Sequence, residues 1–383
     1  MARPRSSSPP DPASLARSVR KGRGAASNAD GRFEPARHEP EDDGWGGLDE
    51  PLVPLATTLG VDSARSVITR NDSPDIPFDR SINPYRGCEH GCIYCYARPS
   101  HAYLGLSPGL DFETRLYAKP DAAARLADEL RAPGYCPQPI ALGTNTDPYQ
   151  PVERRTGITR AILEVLARCE HPLTIVTKSA LIERDLDLLG PMAQKNLVKA
   201  FLSVTTLKRD LARRLEPRAA APERRLEAIA RLSQAGIPVG VMVAPVIPVL
   251  TDGEIEAILA AAREAGAREA GYILLRLPRE VKDLFKEWLA LHAPLSAAHV
   301  MARLREARGG REYDARFGVR MRGEGEYADL IRARFALACR RLGLDRRKPA
   351  ALDLSRFRPP PSPANANDAT GAATGQLDLF EGP

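Results

Sequence analysis

The chain has 383 residues and a formal net charge of +6, and 43% of its residues are hydrophobic. This length allows one large domain with appendages, and no apolar run approaches the roughly 18 residues that a membrane-spanning helix needs. The first residues contain no apolar segment of the kind found in secretory signals. We therefore expect a cytoplasmic protein that does not bind a membrane.

Composition divides the chain into four parts. Residues 1–53 are rich in Pro, Ser, Gly and Arg, and they have too few large apolar side chains to offset the entropy cost of ordering them. We predict a disordered segment there and a flexible tail at 358–383, where Pro, Ala, Asn and Gly dominate. Between them we predict a folded domain at 54–290 and a helical extension at 291–357.

In the folded domain, short apolar segments alternate with amphipathic helical patterns. Strands are predicted at 81–86, 139–143, 173–177, 199–205, 238–244 and 270–275. Helices are predicted at 122–130, 157–169, 182–189, 223–235 and 253–265. This alternation predicts an α/β fold whose parallel strands are joined by right-handed crossovers. The strands are continuously apolar, which indicates that both faces of the sheet are covered.

Three cysteines lie in one loop after the first predicted strand. Cys88, Cys92 and Cys95 have the spacing C-x3-C-x2-C. Thiolates this close together can bind three irons of a [4Fe–4S] cluster, for which four cysteines are the usual full set. The fourth iron would then stay open for chemistry, as the free position of a catalytic zinc does.

Two other uses of these cysteines fit the pattern less well. A zinc site could recruit His90 as a fourth ligand, although the spacing departs from the usual paired C-x2-4-C and H-x3-5-H pattern. A disulfide framework is disfavoured, because three cysteines cannot pair evenly and the chain shows no secretory signal.

The cysteine spacing, with Tyr94 just before the third cysteine, resembles that of the radical S-adenosylmethionine (SAM) superfamily. The resemblance implies a (β/α)6 partial TIM barrel, a [4Fe–4S] cluster on Cys88, Cys92 and Cys95, and SAM bound at the open iron. In that family an electron from the cluster cleaves SAM to methionine and a 5′-deoxyadenosyl radical. An electron donor such as flavodoxin or ferredoxin is therefore implied as a partner.

Polar residues follow the predicted strands at their carboxyl ends, where active residues of such barrels gather. The loop sequence and these strand ends resemble the spore photoproduct lyase branch of the superfamily, in which a lysine and a serine contact the carboxylate and ribose of SAM. The cofactor-binding residues that the resemblance implies are Tyr94, Tyr96, Gly143, Thr144, Asn145, Lys178 and Ser203. The run at 144–148 is also good turn chemistry. Glu216 could reach SAM, but as a single residue we interpret it as a solvated helix end.

The chain departs from that branch at one position. Spore photoproduct lyases carry a cysteine at the end of the second strand that returns a hydrogen atom to the product, whereas this chain has Ala141 to Thr144 there and Cys136 lies upstream. Tyr149, or a tyrosine of the extension, is our candidate catalytic replacement. The chain therefore resembles a related bacterial radical SAM family of unassigned substrate.

Two further features point to DNA. Residues 301–350 contain 13 Arg and one Lys against seven acidic residues, which is either an electrostatic footprint for nucleic acid or a solvated helical surface. The C-terminal sequence QLDLF resembles the peptide by which bacterial proteins bind the sliding clamp. In it we assign partner contacts to Gln376, Leu377, Leu379 and Phe380, on a flexible tether that raises local concentration.

These features predict a radical SAM enzyme that acts on DNA with lyase-like or repair chemistry and is recruited by the sliding clamp. One alternative is a radical SAM enzyme that modifies RNA or protein, for which the tail would be irrelevant. Another is a non-enzymatic, metal-stabilised DNA-binding adaptor.

Overall fold

Continuous apolar runs form the strands at the centre of the protein. The structure, a computed structural model, describes residues 19–33, 55–345 and 351–361. The strands in these ranges are β1 Thr58–Val61, β2 Ile68–Arg70, β3 Arg80–Ile82, β4 Tyr85–Arg86, β5 Arg115–Ala118, β6 Ile140–Leu142, β7 Leu173–Thr177, β8 Val198–Ser203, β9 Val239–Val246 and β10 Glu269–Leu274. The α-helices are Asp111–Thr114, Ala122–Arg131, Glu153–Thr156, Ile158–Arg168, Leu186–Gln194, Arg209–Leu215, Pro222–Gln234, Ile255–Glu264, Val281–His292, Pro294–Glu306 and Glu326–Leu342.

Six strands form a parallel sheet in the order β3-β6-β7-β8-β9-β10, and β2 adds an antiparallel edge next to β3. The spatial order of the parallel strands follows the chain order, so each helical crossover leads to the adjacent strand. The predicted (β/α)6 partial barrel is confirmed. Its edge strands are β2 and β10, which leaves an open seam between them.

The first predicted strand is divided in the structure. Pro84 lies between β3 and β4, and a proline offers no N–H to continue a ladder. Beyond it, β4 leaves the main sheet and pairs with β5 in a second sheet of order β1-β5-β4. This small sheet was not predicted, because β1 is largely exposed and β4 has only two residues, so neither strand carries a clear hydrophobic pattern.

The C-terminal extension packs against the barrel through a second hydrophobic core. The helices Val281–His292 and Pro294–Glu306 bury side chains that cluster with Cys92, Ile93 and Tyr94. The domain boundary predicted at residue 290 falls inside the first of these helices. The extension is therefore continuous with the barrel and lies against the cysteine loop. No helix in the described residues is both long enough and apolar enough to cross a membrane.

The structure differs from the predicted disorder of residues 1–53 in one part. Residues 19–33 are described, and Ala25 within them is 1% exposed. The backbone N–H groups of Gly24 and Ala25 each donate to the Glu113 carboxylate at 2.9 Å. These hydrogen bonds to a charged side chain far away in the sequence offset the entropy cost of ordering the segment. Composition alone predicts that this cost keeps the segment disordered. The rest of the predicted segment lies outside the described residues.

Residues 351–361 cross the amino-terminal ends of the strands. Asp353 donates its N–H to the Asn196 carbonyl just before β8, and Arg358 donates its N–H to the Cys169 carbonyl before β7, both at 2.9 Å. Phe357 packs against the His171 ring, with centroids 5.3 Å apart. The last four of these residues were predicted to belong to the flexible tail, yet they are held on the face opposite the carboxyl ends.

Candidate active site

Three cysteine side chains face one cavity at the carboxyl ends of the parallel strands. Cys88, Cys92 and Cys95 line it, and it holds about 940 Å³ of empty space, part of which is open to solvent. Burial raises the pKa of all three thiols, and nearby carboxylates raise it further at Cys88 and Cys92. Thiols in such surroundings become thiolates when a bound metal supplies positive charge.

The buried Arg98 side chain fixes the shape of this loop. Its guanidinium donates to the carbonyl oxygens of Cys92 at 3.0 Å and Gly91 at 3.2 Å, and it forms an ion pair with Glu113. Neither charged side chain is exposed to solvent. A buried ion pair of this kind is stable only when its remaining donors are satisfied. Here the cysteine loop supplies two acceptors, and the Pro108 and Gly109 carbonyl oxygens supply two more.

Most residues that the sequence analysis assigned to SAM line the same cavity. They are Tyr94, Tyr96, Gly143, Asn145, Lys178 and Ser203. Gly143 has a φ of +86°, and a Cβ atom there would lie 1.9 Å from the Val176 carbonyl oxygen, so only glycine fits. Thr144 is not among the lining residues. Its hydroxyl accepts from Asn83 at 3.4 Å, and its carbonyl accepts from the Tyr96 hydroxyl.

The polar run after β6 also has a structural role. Asp147 accepts from the Thr177 hydroxyl at 2.7 Å and the Lys178 N–H at 2.8 Å, and it lies 3.4 Å from His90 Nδ1. Burial raises the pKa of Asp147, but the His90 contact and these hydrogen bonds lower it by more. Gln150 hydrogen-bonds backbone groups on either side of the first cysteine. The run therefore makes turn hydrogen bonds, and part of it also lines the cavity.

The prediction that Glu216 is a solvated helix end is wrong, because its side chain is buried behind the cavity. The chain turns inward where the helix Arg209–Leu215 ends, and the carboxylate accepts from Arg225 and from the Tyr94 hydroxyl. Lys178 Nζ lies 3.2 Å from it. Burial raises the pKa of Glu216, but Arg225 and Lys178 outweigh this effect and hold it well below the usual range. The ionised Glu216 carboxylate thus holds the side chains of Tyr94 and Lys178 in place.

The Lys178 ammonium is already well supplied with acceptors. Besides Glu216, it contacts the Ala244 carbonyl oxygen at 3.0 Å and the Thr205 hydroxyl at 3.3 Å. An ammonium has three N–H donors, so all three have a partner. For Lys178 to bind the carboxylate of SAM, one of these contacts has to be exchanged.

Comparison with known protein families gives a match for the part of the chain that forms most of this cavity. Residues 82–262, which run from β3 to the last crossover helix, match a family model described as the radical SAM superfamily. This part of the chain is a radical SAM domain. The family uses a [4Fe–4S] cluster and SAM as its cofactors.

Two curated relatives to which the chain is similar are described only as uncharacterized proteins. The uncharacterized protein Rv2578c of Mycobacterium tuberculosis is 41% identical over 221 residues, which cover 57% of this chain and 65% of the relative. The uncharacterized protein MJ0683 of Methanocaldococcus jannaschii is 29% identical over 173 residues, which cover 45% of this chain and 62% of the relative. The chain thus spans a little under two thirds of the length of each of these two relatives.

Solved structures of spore photoproduct lyase have the same fold. One mutant of that enzyme gives a TM-score of 0.54 at 17% identity, with 75% of this chain and 79% of that chain covered. Another, described with bound AdoMet and dinucleoside spore photoproduct, gives a TM-score of 0.52 at 16% identity, with 74% and 78% covered. At a sequence identity this low, the structural similarity shows a shared fold alone.

The donor set of the radical SAM domain fits its cluster. Three cysteine thiols reach the cavity, and the other three cysteines of the chain, Cys136, Cys169 and Cys339, are not among its lining residues. A cluster held by Cys88, Cys92 and Cys95 would therefore keep one iron without a thiolate and available to SAM. His90, the fourth ligand of the zinc alternative, is engaged by Asp147.

Tyr149 does not take the catalytic position that we predicted for it. Its side chain is fully buried in the main hydrophobic core and is not among the residues that line the cavity. Cys136 is exposed and precedes β6, so it lies at the opposite ends of the strands. The tyrosines that line the cavity are Tyr94 and Tyr96.

Removing the hydroxyl of Tyr149 should leave SAM cleavage almost unchanged. For Tyr149→Phe we expect a rate of 5′-deoxyadenosine formation within about twofold of wild type, because no transition-state contact is lost. The matched variant Tyr96→Phe removes a hydroxyl at the cavity wall and should slow the same assay more. If the rate of 5′-deoxyadenosine formation fell tenfold or more in Tyr149→Phe with an intact cluster, Tyr149 would have to take part in catalysis.

The loop between the last two helices bridges the open seam of the barrel. On one side the N–H of Leu274 in β10 donates to the Met321 carbonyl oxygen at 2.9 Å. On the other side Asp75, in the loop between β2 and β3, accepts from the Gly318 N–H at 2.6 Å and pairs with Arg320. The extension thus spans the seam beside the cavity, where the Arg276 guanidinium lies 4.0 Å from the centre of the Tyr96 ring.

Loss of the Asp75 charge should loosen this bridge. We expect Asp75→Asn to lower the free energy of unfolding by about 1–3 kcal/mol, because Arg320 loses a charged acceptor and the Gly318 N–H a strong one. Urea unfolding followed by circular dichroism measures the change. Asp72→Asn, at an exposed position of the same loop, is the matched control and should have little effect. Equal stability of the two variants would contradict a bridging role for Asp75.

Part of the basic character of the segment 301–350 is used within the fold at residues 301–345, the portion that the structure describes. Six of its arginines form ion pairs with acidic residues: Arg303, Arg305, Arg316, Arg320, Arg332 and Arg334. The buried Arg308 donates instead to backbone carbonyl oxygens, including that of Leu275 at 2.9 Å. Charge counting therefore overstates the surface that this segment offers to nucleic acid. The QLDLF sequence, with Gln376, Leu377, Leu379 and Phe380, lies outside the described residues.

Proposed function

We propose that this chain is a radical SAM enzyme that acts on DNA and that the sliding clamp recruits through the QLDLF sequence. The observation that carries the enzymatic part is the cavity in which three cysteine thiols meet Lys178 and Ser203 at the carboxyl ends of the strands. When bound, the reduced cluster would supply one electron to SAM, and the reductive cleavage of SAM would give methionine and a 5′-deoxyadenosyl radical able to take a hydrogen atom from the substrate.

The residues of the chain prepare this chemistry by position and burial. Cys88, Cys92 and Cys95 would hold the cluster, and Arg98 keeps their loop in shape. Glu216 anchors both Tyr94 and Lys178 at the wall. The cofactors carry the difficult chemistry, whereas the protein places them and keeps water away from reactive species.

Three observations support DNA as the substrate. The fold is that of spore photoproduct lyase, which has been solved with a dinucleoside photoproduct. The QLDLF sequence resembles a clamp-binding peptide, in which Leu379 and Phe380 would fill an apolar pocket and Gln376 would fix the register. The helical extension adds arginine side chains, although those that form ion pairs within the protein contribute less to the binding of nucleic acid. An electron donor of the flavodoxin or ferredoxin class completes the proposed set of partners.

The clamp proposal is tested with the full-length protein and a purified bacterial sliding clamp. We expect measurable binding by calorimetry, and a loss of more than about tenfold in Phe380→Ala, because a buried aromatic side chain contributes about 1.5–3 kcal/mol. Ala372→Ser, in the tail but outside the QLDLF sequence, serves as the control. Equal binding by Phe380→Ala, or no binding by wild type, would contradict recruitment by this peptide.

The substrate class is tested with the cluster-loaded, reduced protein. Damaged duplex DNA loaded with the clamp should stimulate 5′-deoxyadenosine formation over SAM alone and should be altered itself. Stimulation by RNA or by a protein, without stimulation by DNA, would favour the alternative of RNA or protein modification. Failure to cleave SAM with a full cluster, combined with DNA binding, would favour the adaptor.

A further inference from the structure

A short N-terminal segment lies against the back of the cysteine loop. We call residues 23–29 the N-terminal strap. Two consecutive N–H groups of the strap, those of Gly24 and Ala25, donate to the two carboxylate oxygens of Glu113 at 2.9 Å each. The Glu113 side chain has no exposure to solvent. A carboxylate that accepts charge-assisted hydrogen bonds without exposure to water holds its donors firmly.

Glu113 connects the strap to the cysteines through one side chain. Its other partner is Arg98, which donates to the carbonyl oxygens of Gly91 and Cys92. The strap, the carboxylate, the guanidinium and the cysteine loop therefore form one continuous buried network. If the strap is released, Glu113 loses two donors, and the acceptor that orients Arg98 is perturbed.

The strap also packs directly on the loop. A Cβ atom on Gly24 would lie 1.8 Å from the Gly91 carbonyl oxygen, so the backbones of strap and loop are in contact and position 24 admits only glycine. Ala25 is 1% exposed and belongs to the hydrophobic core that contains Cys92 and Ile93. The strap thus separates one side of the cysteine loop from solvent.

Both ends of the strap are fastened to the folded domain. At its start, Arg23 donates to the carbonyl oxygens of Glu113 at 2.9 Å and Leu55 at 2.6 Å. Further along, the Ser27 carbonyl accepts from the Leu110 N–H at 3.2 Å, and the Ser27 hydroxyl donates to Glu287 at 2.6 Å. The contact surface is therefore a defined one and not a chance approach of a loose terminus.

We propose that the N-terminal strap positions the cysteine loop and protects the bound cluster from dioxygen and water. Gly24 and Glu113 are its positioning residues, and neither touches SAM or the reacting atoms. The proposal rests on the assignment of a [4Fe–4S] cluster to Cys88, Cys92 and Cys95. It predicts that opening the strap shortens the lifetime of the cluster while the barrel stays folded.

The first measurement is amide hydrogen exchange of the full-length protein without cluster. In wild type, peptides that contain Gly24 and Ala25 should be protected. In Gly24→Val the new side chain collides with the loop backbone, so the strap should lift off and exchange should accelerate by at least about tenfold, because two hydrogen bonds to a charged group are lost. Gly253→Ala, where a Cβ meets nothing within 4 Å, is the matched control.

The second measurement is cluster retention in air after anaerobic loading, followed by visible absorbance, bound iron and electron paramagnetic resonance of the reduced protein. We expect Gly24→Val and Glu113→Gln to lose the cluster at least about tenfold faster than wild type and Gly253→Ala, with unchanged far-ultraviolet circular dichroism. Glu113→Gln keeps the shape of the side chain and gives a second variant outside the strap.

The outcomes separate the strap from the cluster assignment. Fast exchange in Gly24→Val together with a wild-type cluster lifetime would overturn the protective role. Slow exchange in that variant would show that the strap does not depend on the Gly24 contact and would overturn the packing argument. A wild-type protein that is protected at the strap but takes up no cluster would overturn the cluster assignment, and the proposal with it.

Discussion

Anaerobic protein that has been loaded with iron and sulfide, reduced with dithionite and given SAM is expected to form 5′-deoxyadenosine, and Cys92→Ala is expected to form none. Cys92 is one of the three thiols that face the cavity, and its carbonyl is also held by Arg98. With two thiolates left, the cluster lacks the set of ligands that leaves just one iron open. We expect product in the variant to fall to the level of protein-free controls.

The control is Cys136→Ala, which removes an exposed thiol at the opposite ends of the strands. It should load a full cluster and cleave SAM at the wild-type rate. Wild-type activity in Cys92→Ala would contradict the cluster assignment. If wild-type protein that holds a full cluster formed no product, this would contradict the proposed reaction and favour the alternative of a non-enzymatic DNA-binding adaptor.

Glu216→Gln is expected to cause a large loss of stability. The change keeps the size of the side chain but removes the charge that compensates Arg225 and Lys178. Breaking a buried ion pair by removal of one partner typically costs about 3–5 kcal/mol. Urea unfolding should show a clear fall in the midpoint, and Tyr94 and Lys178 should lose their anchor, so SAM affinity should fall as well.

Glu223→Gln is the matched control, because it makes the same substitution at an exposed position in the first turn of the next helix. A surface substitution of this kind should change stability by no more than about 0.5 kcal/mol. If the two variants unfold at the same urea concentration, the buried network does not stabilise the fold as we infer.

The pH dependence of this difference has a defined sign. Burial raises the pKa of Glu216, but Arg225 and Lys178 lower it by more, so its folded pKa lies below that of the unfolded chain. Such a carboxylate stabilises the fold at neutral pH, and that contribution is lost as the pH falls through the unfolded and then the folded pKa. The gap in stability between wild type and Glu216→Gln should therefore narrow on acidification. A gap that stays constant would contradict an ionised Glu216.

The repeating part of this fold was predictable, because each parallel strand is a continuous apolar run and each crossover helix has an amphipathic pattern. Gly143, Lys178 and Ser203 could be placed near one another for the same reason, since carboxyl ends of neighbouring parallel strands meet at one edge. The bounds of β7, Leu173–Thr177, were predicted to the residue. These features depend on local pattern alone.

The missed features depend on contacts between distant residues. Glu216 looks like the polar end of a helix until Arg225 and Tyr94 are seen to surround it, and Tyr94 lies 122 residues away in the chain. The strap belongs to a segment whose composition favours disorder, and its partner Glu113 is about 90 residues away. Tyr149 was misplaced because a polar, proline-rich run does not reveal which of its side chains turns inward.

The segment 351–361 determines where the end of the chain leaves the molecule. It lies over the amino-terminal ends of the strands, and the Pro361 carbonyl accepts from Arg131 at 3.2 Å. From Pro361 to Gln376 the chain can reach at most roughly 50 Å when fully extended. A partner that bound Gln376 and the residues after it would therefore be tethered within that distance of the amino-terminal ends of the strands, which lie opposite the mouth of the cavity.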